Sequence, residues 1–138
     1  MCARRVSLAI VLLSAATLGG AGSVTAQSTA PAAWQATPAS VLKGALRATA
    51  AAQGRYRAAN GTYASSVARL DLRPEAGVRV DILRASASGW QGKASFRGQP
   101  GRSCVVFVGS LEGIEAPRTD GDRDMAGEEG IPLCDRMR

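Results

Sequence analysis

Hydrophobic positions along the chain change period three times. Val6 to Leu18 is an almost unbroken apolar run. From Val41 onward, Leu42, Ala45, Leu46, Thr49, Ala52, Gln53 and Tyr56 recur at three- and four-residue spacing, the stripe of one helix face. Thr37-Pro38 supplies a capping hydroxyl and a proline suited to the first helical position. Asn60-Gly61 ends the run with two residues that tolerate the left-handed conformation. The spacing therefore predicts a helix of about 20 residues, roughly 30 Å long. Gly44 and Gly54 weaken it, so tertiary packing must hold it. Ser65 or Ser66 is placed to cap a short turn reaching Leu70.

After Pro74 the period drops to two. Val78, Val80 and Ile82 alternate with Arg79, Asp81 and Leu83. Ser88-Gly89 marks a turn, after which Trp90, Gly92, Ala94 and Phe96 alternate with Gln91, Lys93, Ser95 and Arg97. A second turn, Gly98 to Gly101, leads into Ser103 to Val108, which is apolar on both faces and reads as a central strand. Residues 109–133 are irregular and acidic. The expected architecture is α+β: one long N-terminal helix packed on a three-stranded antiparallel meander, with a disulfide-closed C-terminal loop.

The apolar run at the start bears on location. Arg4 and Arg5 precede it, Gly19, Gly20 and Gly22 break it, and Val24-Thr25-Ala26 follows. Charge, short apolar run and small-residue site, in that order, predict a secretory signal over residues 1–26, cleaved after Ala26. The run is shorter than the roughly 20 residues a spanning helix needs, so no stable membrane span is expected after cleavage. Residues 27–37, rich in Ala, Ser, Thr and Pro, read as a flexible leader, and 38–138 as the domain. The protein is expected to be exported, periplasmic or secreted.

Export changes how the cysteines read. Cys2 lies ahead of the apolar run, leaving Cys104 and Cys134 in the mature chain. An even count in an exported chain predicts a disulfide between them. Charge adds less. Without the leader the chain carries 15 Lys and Arg, 13 of them Arg, against 11 Asp and Glu. That modest excess permits an acidic partner such as nucleic acid or an anionic polymer. Arg47, Arg55 and Arg57 on the helix are the candidate anion-binding residues.

Candidate chemistry is sparse. The chain has no histidine, which removes the commonest general base and the usual serine-hydrolase triad. With both mature cysteines paired there is no thiol nucleophile, and no catalytic residue is assigned. Asp120-Gly121-Asp122-Arg123-Asp124 sets three carboxylates at two-residue spacing, like the first half of an EF-hand loop. Asp120, Asp122 and Asp124, assisted by Glu128 or Glu129, are thus the candidate calcium ligands. Met125 and Ile131 stand where the full motif has glycine and glutamate. Asn60-Gly61-Thr62 also matches an N-glycosylation acceptor, but reads more simply as the turn that ends the helix.

The stretch Leu42, Leu46, Ala52-Gln53, Tyr56, Asn60-Gly61-Thr62-Tyr63-Ala64 and Leu70 resembles the type IV pilin and pseudopilin family. There a long helix runs into an Asn-Gly-x-Tyr loop and a short antiparallel sheet. Cys104 to Gly109, with Glu128 to Cys134, resembles the disulfide-closed ending of some bacterial pilin-like proteins. The likeness covers Ser40 to Cys134. It implies a pilin-like globular domain whose partners are envelope or secretion-system proteins, and it adds analogy to the calcium reading. The chain departs from the family at its start, without the processing site or the long apolar helix that anchors a pilin and packs the filament core.

Overall fold

The structure is a computed structural model that describes residues 36–110 and 112–137. The expected signal sequence, and the leader up to residue 35, lie outside the described residues.

Helix α1 spans Pro38–Asn60, 23 residues, with the bounds its caps predict. The Thr37 hydroxyl accepts from the Ser40 N–H at 3.2 Å, and the Ser40 hydroxyl donates to the Thr37 carbonyl at 2.7 Å. At the other end Gly61 takes φ 74°, and its N–H donates to the Arg57 carbonyl at 2.8 Å. A side chain at that left-handed position would be strained, which is why glycine closes the helix. The buried stripe is Leu42, Leu46, Thr49, Ala52 and Gln53. A short 3-10 turn, Val67–Arg69, follows Ser66.

Three long strands follow: β1 Val78–Ala85, β2 Gly89–Phe96 and β3 Ser103–Gly109. The expected meander gains a fourth strand, β4 Leu133–Cys134, which pairs with β3 to give the antiparallel order β1-β2-β3-β4. Two residues carry no period, so the sequence pattern could not announce this strand. It makes β3 interior to the sheet, as its two apolar faces predict. Between Ile82 and Arg84 the register with β2 shifts, so Leu83 bulges and is 39% exposed.

The helix covers one face of the sheet. Leu42 and Leu46 pack into a core with Tyr63, Val78, Val80, Trp90, Ala94, Cys104 and Val106. Both leucines are fully buried, each contributing about 2 kcal/mol by transfer from water. Gly92 lies between Trp90 and Ala94 on this face, and a Cβ there would come within 2.6 Å of the Trp90 ring. Glycine at this position is what lets the indole lie down against the strand. A smaller cluster of Ala52, Ala64 and Leu70 fixes the far end of the helix.

One buried polar contact lies beside the smaller cluster. Gln53, fully buried, donates from Nε2 to the Ala64 carbonyl and accepts from the Ala64 N–H, both at 2.8 Å. The side chain thus completes the backbone pairing of a residue that belongs to no helix or strand, and ties the Asn60–Ala64 loop to α1.

The opposite face of the sheet is met by the acidic loop between β3 and β4. The Gln91 side chain donates to the Glu115 carbonyl at 2.8 Å, and the Lys93 ammonium pairs with Asp120 at 3.0 Å. Val105, Thr119 and Ala126 are buried. Helix, sheet and ordered loop thus make three layers.

Candidate functional site

The acidic loop is the part of the molecule with the densest polar chemistry, and its organiser is a residue that sequence reasoning did not single out. Asp135 follows directly on β4 and is 5% exposed. One carboxylate oxygen accepts from the Ser103 N–H at 2.8 Å and the Ser103 hydroxyl at 2.9 Å. The other accepts from the N–H groups of Gly121 at 3.1 Å and Asp122 at 2.7 Å. Burial on its own would raise the Asp135 pKa. The bonds from Asp122, Thr119 and Ser103 outweigh it and hold the group at about 2, below the ordinary 3.8. Asp135 therefore stays ionised and links β3, β4 and the loop through one charge. Gly121 is needed at this point, because a Cβ there would lie 2.5 Å from the Gly101 carbonyl oxygen.

Around this anchor the Asp120–Asp124 stretch is the tip of a small hairpin. Arg118 and Met125 form an isolated bridge, Thr119 N–H donates to the Asp124 carbonyl at 2.9 Å, and Ala126 N–H donates to the Pro117 carbonyl at 3.0 Å. The buried Thr119 hydroxyl accepts from the Asp124 N–H at 3.2 Å, and Arg123 turns the tip with φ 62°.

This turn decides where the candidate metal ligands go. Asp120 is held by Lys93, and Asp122 accepts from the Arg136 N–H. Asp124 and Glu128 are exposed. Glu129 caps the Gly109 N–H at 2.7 Å. The structure thus brings these residues into one loop but directs them to separate partners. Among the described residues no three His, Cys, Asp or Glu side chains come together as a metal-ligand group.

Cys104 and Cys134 are bonded and lie directly opposite each other in the β3–β4 register, so the disulfide and Asp135 clamp the same end of the loop. All three candidate anion-binding arginines, Arg47, Arg55 and Arg57, are exposed on α1. Arg57 donates to the Tyr63 hydroxyl at 3.2 Å and sits 5.0 Å from its ring centroid, a cation–π contact that serves the loop after α1.

The residues missed by the sequence reading, Asp135, Ser103 and Thr119, left only faint signals: single polar groups beside a cysteine, at a strand start and beside an aspartate. A shallow cavity of about 200 Å³ lies where Trp90, Gln91 and Phe107 meet Ile114 and Ala116, and none of its lining side chains titrates. Against known proteins, no protein-family model matches the chain, and no curated protein matches it.

Proposed function

We propose that the chain is an exported, non-catalytic, pilin-like module that works through protein–protein contacts in the cell envelope, within secretion or pilus-type machinery. The observation that carries this reading is how the acidic loop is displayed. It is fixed by the disulfide, by Asp135 and by Glu129, yet of the four large apolar side chains exposed among the described residues three lie on it: Ile114 at 43%, Met125 at 46% and Ile131 at 56%. A rigid loop with exposed apolar tips suits recognition, because little ordering entropy is lost on binding. The reading also draws on the order of long helix, Asn-Gly-Thr-Tyr turn and antiparallel sheet with a disulfide-tied tail.

The test is photo-crosslinking in the cells that make the protein, with the reactive group at Ile114 or Ile131 and, for comparison, at the exposed Ala51 of α1. A discrete adduct of the same mass from both loop positions, and not from Ala51, supports the reading. No adduct from either loop position counts against it.

A second reading, binding of nucleic acid or another anionic polymer, is favoured by Arg47 and Arg55, which are solvent-exposed on α1. It requires affinity that falls steeply with salt and weakens when both residues are replaced by Ala.

A further inference from the structure

The two edges of the sheet are finished differently. Along the outer edge of β3, Ser103 is met by Asp135, Val105 by Leu133, Phe107 by Gly130 and Gly109 by Glu129. That edge is closed. The outer edge of β1 is not closed in this way. Arg97 N–H donates to the Gly77 carbonyl, and Ser86 N–H to the Gly89 carbonyl. Antiparallel alternation between those points makes Arg79 with Ser95, and Asp81 with Lys93, the hydrogen-bonded pairs. The backbone groups of Val80 and Ile82 therefore face away from β2. Among the described residues none is bonded to them.

We propose that this edge pairs with the same edge of a second copy of the chain, antiparallel, about a two-fold axis at Val80. The argument is charge and register together. Only outward-facing residues can exchange backbone bonds across the new seam, so Val78, Val80 and Ile82 must pair among themselves, Val78 through its carbonyl because its N–H already donates to the Glu75 carbonyl at 3.0 Å. Centring the pairing on Arg79 sets two arginines opposite each other, and centring it on Asp81 sets two aspartates opposite each other. Centring it on Val80 sets Arg79 against Asp81 of the second copy, twice. Within one strand Arg79 already bonds Asp81 at 2.9 Å on the face away from the helix, so the dimer carries four charges alternating in sign. Val78 and Ile82 then face each other on the apolar side. The bulge at Leu83 ends the usable edge after Ile82, which keeps the seam short and the association weak.

The experiment uses the full chain purified after export, with its N-terminus defined by intact mass. Sedimentation equilibrium at low salt is expected to show mass rising toward twice the monomer between about 10 μM and 1 mM, the range of small interfaces. Added salt weakens it. Asp81→Arg and Arg79→Asp, each checked for folding by circular dichroism, should each dimerise at least tenfold more weakly. An equimolar mixture of the two restores association, because opposite charges again meet across the seam. The proposal is overturned by a wild type that stays monomeric at 1 mM, or by either variant dimerising as tightly as wild type. It is equally overturned by a mixture that stays monomeric where wild type pairs.

Discussion

Replacing Asp135 by Asn removes one charge and leaves the shape almost unchanged, so it isolates what that charge does. The wild-type carboxylate accepts two hydrogen bonds on each oxygen from Ser103, Gly121 and Asp122, and a further one from the Thr119 hydroxyl. An amide keeps one acceptor oxygen and turns an NH₂ group toward donors that need an acceptor, leaving buried N–H groups unmet at about 1–3 kcal/mol each. The ionisation gives a second estimate. A carboxyl held at about 2 instead of 3.8 stabilises the fold by about 2 kcal/mol once it is charged. The sign follows from the direction of the shift. Because the folded value is depressed, this stabilisation is fully present above the unfolded value near 3.8 and is lost as pH falls toward 2. Urea unfolding of Asp135→Asn is therefore expected to show a loss of about 2–4 kcal/mol at pH 7. The gap should hold at pH 5 and shrink steadily between pH 4 and pH 2. Every other carboxylate is common to both proteins and cancels in the difference. A difference independent of pH, or none at pH 7, would refute the claim that one ionised group holds the loop to the sheet.

Three further outcomes follow from the same geometry. Cys104→Ser, with its partner Cys134 also replaced by Ser, should lose about 2–5 kcal/mol in chemical unfolding, and reductant should produce the same loss in the wild type; a variant as stable as the oxidised wild type would contradict this. Gln53→Ala should cost about 2–4 kcal/mol, because the Ala64 N–H and carbonyl are left buried without partners; hydrogen exchange at the Ala64 amide should accelerate markedly more than exchange in β2. Millimolar calcium should shift the melting temperature by less than about 2 °C, since binding must first detach Asp120 from Lys93 and Asp122 from Arg136. A rise of several degrees that Asp122→Ala abolishes would show that the loop rearranges around the ion.

The elements that the sequence announces are those with several residues in one period or with a cap. Thr37-Pro38 and Asn60-Gly61 bracket α1 correctly because capping depends on chemistry local to those residues. The alternation from Val78, from Trp90 and from Ser103 gives β1, β2 and β3, and the apolarity of β3 on both faces records a second cover, here the acidic loop. The cysteine pair is legible from parity together with the expectation of export, and the bond is present. What stays hidden depends on single side chains meeting backbone far away in sequence. Asp135 reaches Ser103 across 32 positions, and Gln53 reaches Ala64 across 11. In the sequence Gln53 is only a member of an apolar stripe. The three aspartates at two-residue spacing look convergent on paper, yet the hairpin closed by Thr119 and Asp124 sends Asp120 and Asp122 to different neighbours. The contact of Arg57 with the Tyr63 ring is hidden from the sequence in the same way.

The clamp on β3 is made of residues 133–135, which follow β3 in synthesis. A ribosome delivering the chain from its N-terminus releases β3 some 30 residues earlier. At about 5–20 residues per second that interval lasts on the order of 2–6 s. Throughout it, Val105 and Phe107 present an unpaired strand edge, a template for adding the strand of any neighbouring nascent chain. The helix and first hairpin can condense beforehand, but the sheet cannot seal until its last few residues arrive. The hazardous moment in this molecule's life is therefore a timed one, and the enzyme or oxidant that joins Cys104 to Cys134 sets how quickly it ends.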